Sequence, residues 1–190
     1  MPTPSGVDDL TELALAAGKG DRVALEHFVV ATQRDVWRLV AHLGGVGMAD
    51  DLTQETYLRA LPSLPSFAAR ASARTWLLSI ARRAVVDHIR QNTSRPRTTH
   101  AVDWTEASDR QKADAHRAVA GFEDLVEFTV LLDDLAQERR EALVLTQVLG
   151  LTYAEVAKIC DVPVGTIRSR VARAREDLLD AQQDRQHGTG

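Results

Sequence analysis

Residues 149–175 constrain this chain more tightly than any other stretch. Thr152 followed three positions later by Glu155 is a capping box, in which hydroxyl and carboxylate each take up a backbone N–H that the first helical turn leaves without a partner. Val156, Ala157 and Cys160 then recur at helical spacing and give a short helix one narrow apolar face. Asp161 to Gly165 interrupts the pattern, and Pro163 suits the first position of a following helix, where no backbone donor is needed. The stretch reads as two helices joined by a tight turn.

The second of these helices has two separable faces. Ile167, Val171, Ala174 and Leu178 are three or four residues apart and stack on one side. At about 100° per residue, Arg168, Ser169, Ala172, Arg173 and Arg175 point broadly the other way, with Arg170 at the border. No acid occurs from Val164 to Arg175. A core stripe backed by arginines suits the major groove of DNA, where guanidinium forks bond guanine edges or hold phosphates. A solvated basic helix is the plainer alternative. The capping box, the turn and the facial split together favour DNA.

The net charge of −4 argues the other way until its distribution is considered. From Phe67 to His100 the chain carries Arg70, Arg74, Arg82, Arg83, Arg90, Arg95 and Arg97 against Asp87 alone. From Asp103 to Glu141 acids outnumber bases heavily. Two basic segments flank an acidic zone, which places two nucleic-acid contacts apart from each other. Only three of the 23 basic residues are lysines, a bias that a GC-rich genome can also produce, so arginine content alone assigns no function.

The chain's 190 residues suffice for one or two domains with real cores. No run approaches the roughly 20 apolar residues of a membrane span, and the first residues lack the basic flank and apolar core of a signal peptide. A single cysteine, Cys160, forms no internal disulfide. A cytoplasmic protein without membrane insertion is expected.

Taken in order, a helix is expected from Asp8 to Gly18, and a second from about Asp21 carries Ala24, Leu25, Phe28, Val29, Val36, Trp37, Val40 and Leu43 to a stop at Gly44. A third runs from Ala49 to Leu61, with Asp50 and Asp51 in its first turn, where carboxylates suit the helix dipole. Leu52, Thr56 and Ala60 share one face. Asp51, Gln54, Glu55 and Leu58 lie on others, as a solvated surface or as a dock for a basic helical partner. Pro62 and Pro65 open a loop that runs to about Ser72. The helix beyond it carries Trp76, Leu77, Ile80, Ala81, Val85 and Ile89. Arginines beside such a loop suit a single-strand pocket that holds phosphates and receives an unstacked base. Trp76 is either its stacking platform or core, and the spacing to Ile80 favours core.

Residues 92–121 have neither period nor many apolar side chains and read as a linker between domains at 8–91 and 122–183. In the second domain Leu125, Val126, Thr129, Leu132 and Leu135 make one helix, and Gln137 to Leu149 another. The fold class expected is all-α, with two small helical domains joined by a flexible linker. No Walker-type loop, Gly-x-Ser-x-Gly elbow or metal-spaced histidine cluster occurs, so neither an enzyme nor a cofactor is expected. Cys160 reads as core.

On these segments the chain resembles the extracytoplasmic-function sigma factors of the bacterial sigma-70 family, and among them the actinobacterial C-type members. Asp50 to Ala60 is similar to region 2.2, which docks on the β′ clamp helices of RNA polymerase. Phe67 to Arg90 is similar to the segment that captures and melts the −10 element. Tyr153 to Ala157 and Pro163 to Arg175 are similar to region 4.2, which reads the −35 element. Their order, with a linker between, is more specific than any one motif.

The resemblance implies a site set. Asp50, Asp51, Leu52, Gln54, Glu55 and Leu58 dock on core polymerase. Phe67, Arg70, Ser72, Arg74, Thr75, Trp76, Arg82, Arg83, Asp87 and Arg90 hold the non-template −10 strand. Thr166, Arg168, Ser169, Arg170, Ala172, Arg173 and Arg175 read the −35 duplex. It also implies contact with the polymerase β flap and makes an anti-sigma factor a candidate partner. Two positions depart from the family: Arg83 stands where asparagine is common, and Ala172 where an aromatic is common. They bear on base preference at −10 and on an apolar contact at −35. The alternative functional class is a polymerase-independent helix-turn-helix regulator, which would bind a palindromic duplex tightly by itself.

Overall fold

The computed structural model describes residues 5–94, 132 and 134–187. Among them no strand occurs and every regular element is helical: α1 (Ser5–Gly18), α2 (Arg22–Gly44), a single 3-10 turn (Val46–Met48), α3 (Ala49–Ala60), a 3-10 segment (Leu61–Ser66), α4 (Ala73–Ser94), α5 (Gln137–Leu143), a π segment (Val144–Val148), α6 (Tyr153–Cys160) and α7 (Val164–His187).

Helix α2 starts where Asp21 caps it, its carboxylate accepting from the N–H groups of Val23 (2.9 Å) and Ala24 (3.0 Å). It buries Phe28, Val36, Leu39 and Val40, and ends at Gly44, with Gly45 at φ 90°. A Cβ on Gly44 would lie 2.6 Å from Leu52 Cδ1, so glycine permits the close approach of α3. Gly18 does the same between α1 and the 3-10 segment, where a Cβ would meet the Leu64 carbonyl oxygen at 2.6 Å. Helix α4 runs across this group and buries Leu77, Leu78, Ala81 and Val85.

Four local expectations are corrected. The proline-bracketed stretch 61–66 is helical rather than loop. Pro62 stands at the helix start, where its missing N–H costs nothing. The Ser63 hydroxyl bonds the Ala60 carbonyl (2.8 Å), and the Ser66 hydroxyl bonds that of Ser63 (2.8 Å). Helix α4 continues through Asn92 to Ser94 instead of yielding to the linker, its last turn held by Asn92 Nδ2 and His88 Nε2 at 2.8 Å. The helix expected from Gln137 to Leu149 divides into α5 and a π segment, because the Leu149 N–H reaches back five residues to Val144 (3.1 Å). Pro163 precedes α7 rather than opening it, its carbonyl accepting from Thr166 (2.9 Å) and so beginning the ladder. The expected linker from position 95 onward, and the helix expected from Phe122 except its last positions, lie outside the described residues.

The capping box forms as the residue types require. The Thr152 N–H donates to Glu155 Oε2 (2.8 Å), and the Glu155 N–H donates to Thr152 Oγ1 (3.3 Å). Asp161 then takes a left-handed conformation (φ 56°, ψ 51°), a geometry that aspartate tolerates, and turns the chain into α7. Ile167, Val171 and Ala174 of α7 seat against α5 and α6. Burial of each large aliphatic contributes about 1.5–3 kcal/mol before conformational entropy is subtracted.

The two helical groups share one continuous apolar core. It runs from Ala14 and Phe28 through Leu77 and Val85 to Leu145, Val156 and Ile167, with α4 packed along α6.

Candidate nucleic-acid interface

Helix α7 presents the face expected for duplex reading. Ile167, Val171 and Ala174 are buried, while Arg168, Ser169, Ala172, Arg173 and Arg175 are exposed, with Arg170 and Thr166 half-buried between the two faces. The Ser169 hydroxyl bonds the Thr166 carbonyl (2.9 Å), and Arg175 Nη2 donates to Gln147 Oε1 (3.1 Å). Gln147 thereby joins the rim of this face, a residue that sequence reasoning passed over. Arg139 pairs with Asp177 and fixes α7 to α5.

A second surface surrounds the start of α4. Ser72 caps that helix, its Oγ accepting from the Thr75 N–H (3.2 Å) and donating to Thr75 Oγ1 (2.9 Å). The Ala73 N–H donates to Thr11 Oγ1 of α1 at 3.1 Å. Ser72 and the buried Thr75 therefore serve the helix start. Beside them is a cavity of about 420 Å³, within the range typical of ligand pockets, about 300–1,000 Å³. Phe67 and Trp76 line it with their ring centroids 5.0 Å apart and planes tilted by 42°. Arg70 and Ser79 also line it, and so does Lys158 from α6. The half-buried Trp76 ring packs on the core, as its spacing to Ile80 predicts, and also lines the cavity.

The arginines of this surface differ in exposure. Arg70, Arg83 and Arg90 are exposed. Arg74 Nε donates to Asp35 Oδ2 (2.7 Å) and its Nη2 to the Leu149 carbonyl (2.8 Å). Arg82 Nε donates to Glu141 Oε2 (2.9 Å), and the Glu141 side chain is only 2% exposed. Asp87 accepts from Arg59, which also bonds Glu55. Glu141, Leu149 and Lys158 were absent from the expected set. Glu141 carried a legible signal: Val144, Leu145 and Val148 follow it at three, four and seven residues, so a carboxylate sits in an apolar stripe and requires a cation. The cation could not be named, because it lies 59 residues away in the chain.

Cys160 is buried beside this ion pair, and burial, with the Glu141 charge adding to it, pushes its thiol up to about 11. The thiol is thus protonated and unreactive near neutrality. His42 is buried, and desolvation followed by the nearby Arg38 charge lowers it to about 4.

On α3, Asp50, Asp51, Gln54 and Leu58 are exposed, and Asp50 Oδ1 accepts from Trp37 Nε1 at 2.9 Å. Glu55 is half-buried and engaged by Arg59. Leu52, expected on the same surface, is 4% exposed and packs against α2 and α4. Among the described residues no group of His, Cys, Asp or Glu is arranged to hold a metal, and no helix is long and apolar enough to cross a membrane.

Comparison with known proteins adds a second line. Residues 28–95 match the family description Sigma-70 region 2, and residues 125–178 match Sigma-70, region 4. Over 183 residues, 96% of each chain, the sequence is 58% identical to the probable RNA polymerase sigma-C factor of Mycobacterium bovis. It is equally similar to the ECF RNA polymerase sigma factor SigC of Mycobacterium tuberculosis. The ECF RNA polymerase sigma-E factor of Escherichia coli K12 is 33% identical over 84% of this chain and 87% of its own. The fold is shared with CnrH, solved in complex with the cytosolic domain of CnrY (TM-score 0.71, 23% identity, 93% and 99% of the two chains). It is shared also with RpoE of Bartonella quintana, solved with the anti-sigma factor NepR (TM-score 0.64, 24% identity, 84% and 96%).

Proposed function

The chain belongs to the extracytoplasmic-function group of the bacterial sigma-70 family, and from that premise we propose how its surfaces divide promoter recognition. Sigma factors are transcription initiation factors, not catalysts, so the chemistry of RNA synthesis stays with polymerase. The exposed edge of α3, with Asp50, Asp51, Gln54 and Leu58, docks on the β′ clamp helices, and the group containing α5 to α7 meets the β flap. Arg168, Ser169, Ala172 and Arg173 read the −35 duplex, with Arg175 on its backbone. Arg70, Arg83 and Arg90 hold the non-template −10 strand, with Arg74 and Arg82 joining once their protein partners are exchanged for phosphate. An unstacked base enters the Phe67–Trp76 cavity, where contacts offset the few kcal/mol that extrusion costs.

The observation that carries this reading is the cavity itself: an aromatic-lined, arginine-flanked pocket at the start of α4, on the same chain as a helix-turn-helix with an arginine face. A polymerase-independent regulator needs only the second of these. The protein acts in the cytoplasm with core polymerase, and an anti-sigma factor that covers these faces is a fitting regulator.

The test is reconstitution. Purified protein with core polymerase directs transcripts whose 5′ ends share −35 and −10 sequences, and neither component does so alone. Lack of core binding, or tight palindromic duplex binding by the free protein, refutes the assignment.

A further inference from the structure

Glycine inside a helix needs a reason, because it forms helices more poorly than any residue but proline. For most of the described glycines the reason is visible. Gly18 and Gly44 admit a neighbour that a Cβ would strike at 2.6 Å, and Gly20, Gly45 and Gly150 take positive φ. Gly47 stands in a single 3-10 turn. Gly165, the second residue of α7, has none of these reasons. Its φ is not positive, and a Cβ placed on it would meet nothing within 4 Å beyond its chain neighbours and the backbone of its own helix. It is also exposed. By helical spacing it lies on the outer face of α7, one turn before Ser169 and two before Ala172, with Arg168 to one side and Arg173 to the other. Those four side chains are exposed as well.

The fold itself makes no demand for glycine at this position, whereas a bare backbone admits a ligand more closely than any side chain does. We propose that Gly165 is the point at which α7 comes nearest to the −35 duplex, and that its missing side chain sets the depth at which Arg168 and Ser169 meet the base edges. The inference rests on the assignment of α7 to −35 reading, and it adds a positioning residue to that face. A recognition helix presents its N-terminal residues to the base edges, so the second residue of α7 is among the first to arrive. Hydrogen bonds to those edges form over about 2.7–3.2 Å and are lost when a methyl group holds the helix back. Attraction between a guanidinium and a phosphate falls off more slowly with distance and survives the same displacement. Gly165 therefore governs discrimination between sequences, and the phosphate contacts supply the affinity common to all of them.

The test uses holoenzyme rebuilt with Gly165→Ala, Gly165→Leu or Arg168→Ala. Its probes are duplexes carrying the −35 sequence that wild-type holoenzyme selects, beside the same duplexes with single-base replacements. Gly165→Ala is expected to bind the selected duplex roughly tenfold less tightly and the replaced duplexes almost as the wild type does, so most of its preference disappears. Gly165→Leu, with a larger side chain at the same point, loses more. The free Gly165→Ala protein is expected to melt at or above the wild-type temperature, since alanine is the better helix former, and to bind core polymerase unchanged. Full −35 preference in Gly165→Ala overturns the proposal, and so does an equal loss on every duplex, which would place the contact on the phosphate backbone. Arg168→Ala separates this failure from failure of the reading beneath it. If Arg168→Ala loses the preference and Gly165→Ala keeps it, α7 still reads the duplex and the proposal alone falls. A wild-type holoenzyme without −35 preference removes both.

Discussion

Arg59 Nη1 lies 2.6 Å from Asp87 Oδ2, joining α3, the proposed docking helix, to α4, which carries the proposed −10 face. The same guanidinium bonds Glu55 Oε1 at 2.7 Å, one turn back on its own helix. Hydrogen bonds that Arg59 donates to Asp87 and then to Glu55 hold it above the ordinary arginine range, so it is charged at every working pH. All three side chains are more than a third exposed, and water screens the interaction. Its value is orientation more than stability. Arg59→Ala is expected to cost no more than about 1 kcal/mol in urea denaturation. It also frees Asp87, a carboxylate on the −10 face, and so weakens holoenzyme affinity for the −10 strand without loss of core binding. A loss of several kcal/mol in stability would show that the bridge belongs to the core.

Leu52 and Leu58 sit six residues apart on α3 and have opposite exposures, 4% and 61%. Leu52→Ala is expected to cost about 2–5 kcal/mol in stability, because its side chain fills the space against Gly44 and Val85. Leu58→Ala is expected to leave the urea midpoint within experimental error and to weaken core polymerase binding severalfold. Unchanged assembly in a pull-down of Leu58→Ala would remove Leu58 from the docking face.

Much of this was legible because the deciding forces are local. Thr152 and Glu155 cap a helix whatever surrounds them, and the 3–4 spacing of Ile167, Val171 and Ala174 fixes which side of α7 is buried. The π segment after α5 was not legible, since Val144 to Val148 carry an ordinary helical pattern and the extra residue per turn reflects the packing of Leu149 and Leu151 into the core. Helicity at 61–66 was hidden by treating Pro62 and Pro65 as breakers, although Pro62 at a helix start needs no donor. Least legible was the joint between the helical groups. Arg82 read as a DNA contact and Glu141 as one acid in a run, and only the tertiary fold brings them together. Lys158 was not singled out at all, and it lines a cavity formed by residues about 80–90 positions earlier.

Arg173 is exposed at the centre of the α7 face, one position from Ala172, where the family often carries an aromatic. With a methyl group there, apolar contact to the duplex is small, and the guanidinium carries more of the discrimination. Arg173→Ala is expected to cost about 1–3 kcal/mol in binding and to relax base preference at one −35 position, as a base contact does. A contact to phosphate alone would weaken all sequences alike and lower the salt dependence. A panel of single-base −35 variants, measured with holoenzyme, separates the two. Equal losses across the panel would move Arg173 to the backbone.

His42 provides a pH prediction with a definite sign. The imidazole is 2% exposed near the end of α2, and burial, reinforced by the Arg38 charge, lowers it to about 4 from 6.5. The folded state therefore resists protonation that the unfolded chain accepts. Above pH 6.5 neither state is protonated and His42 imposes no penalty. As pH falls from 6.5 towards 4 the unfolded state gains a proton that the folded state refuses, and stability drops, by roughly 3 kcal/mol at the lower limit. Below about 4 both states are protonated and the loss levels off. Carboxylates titrate at the lower end of this window, so the comparison is made against His42→Gln, which keeps a polar side chain and removes the titration. Urea midpoints at pH 7.5 and pH 5 are expected to diverge for the wild type and to converge for the variant. An equal pH dependence in both proteins would place the acid sensitivity elsewhere.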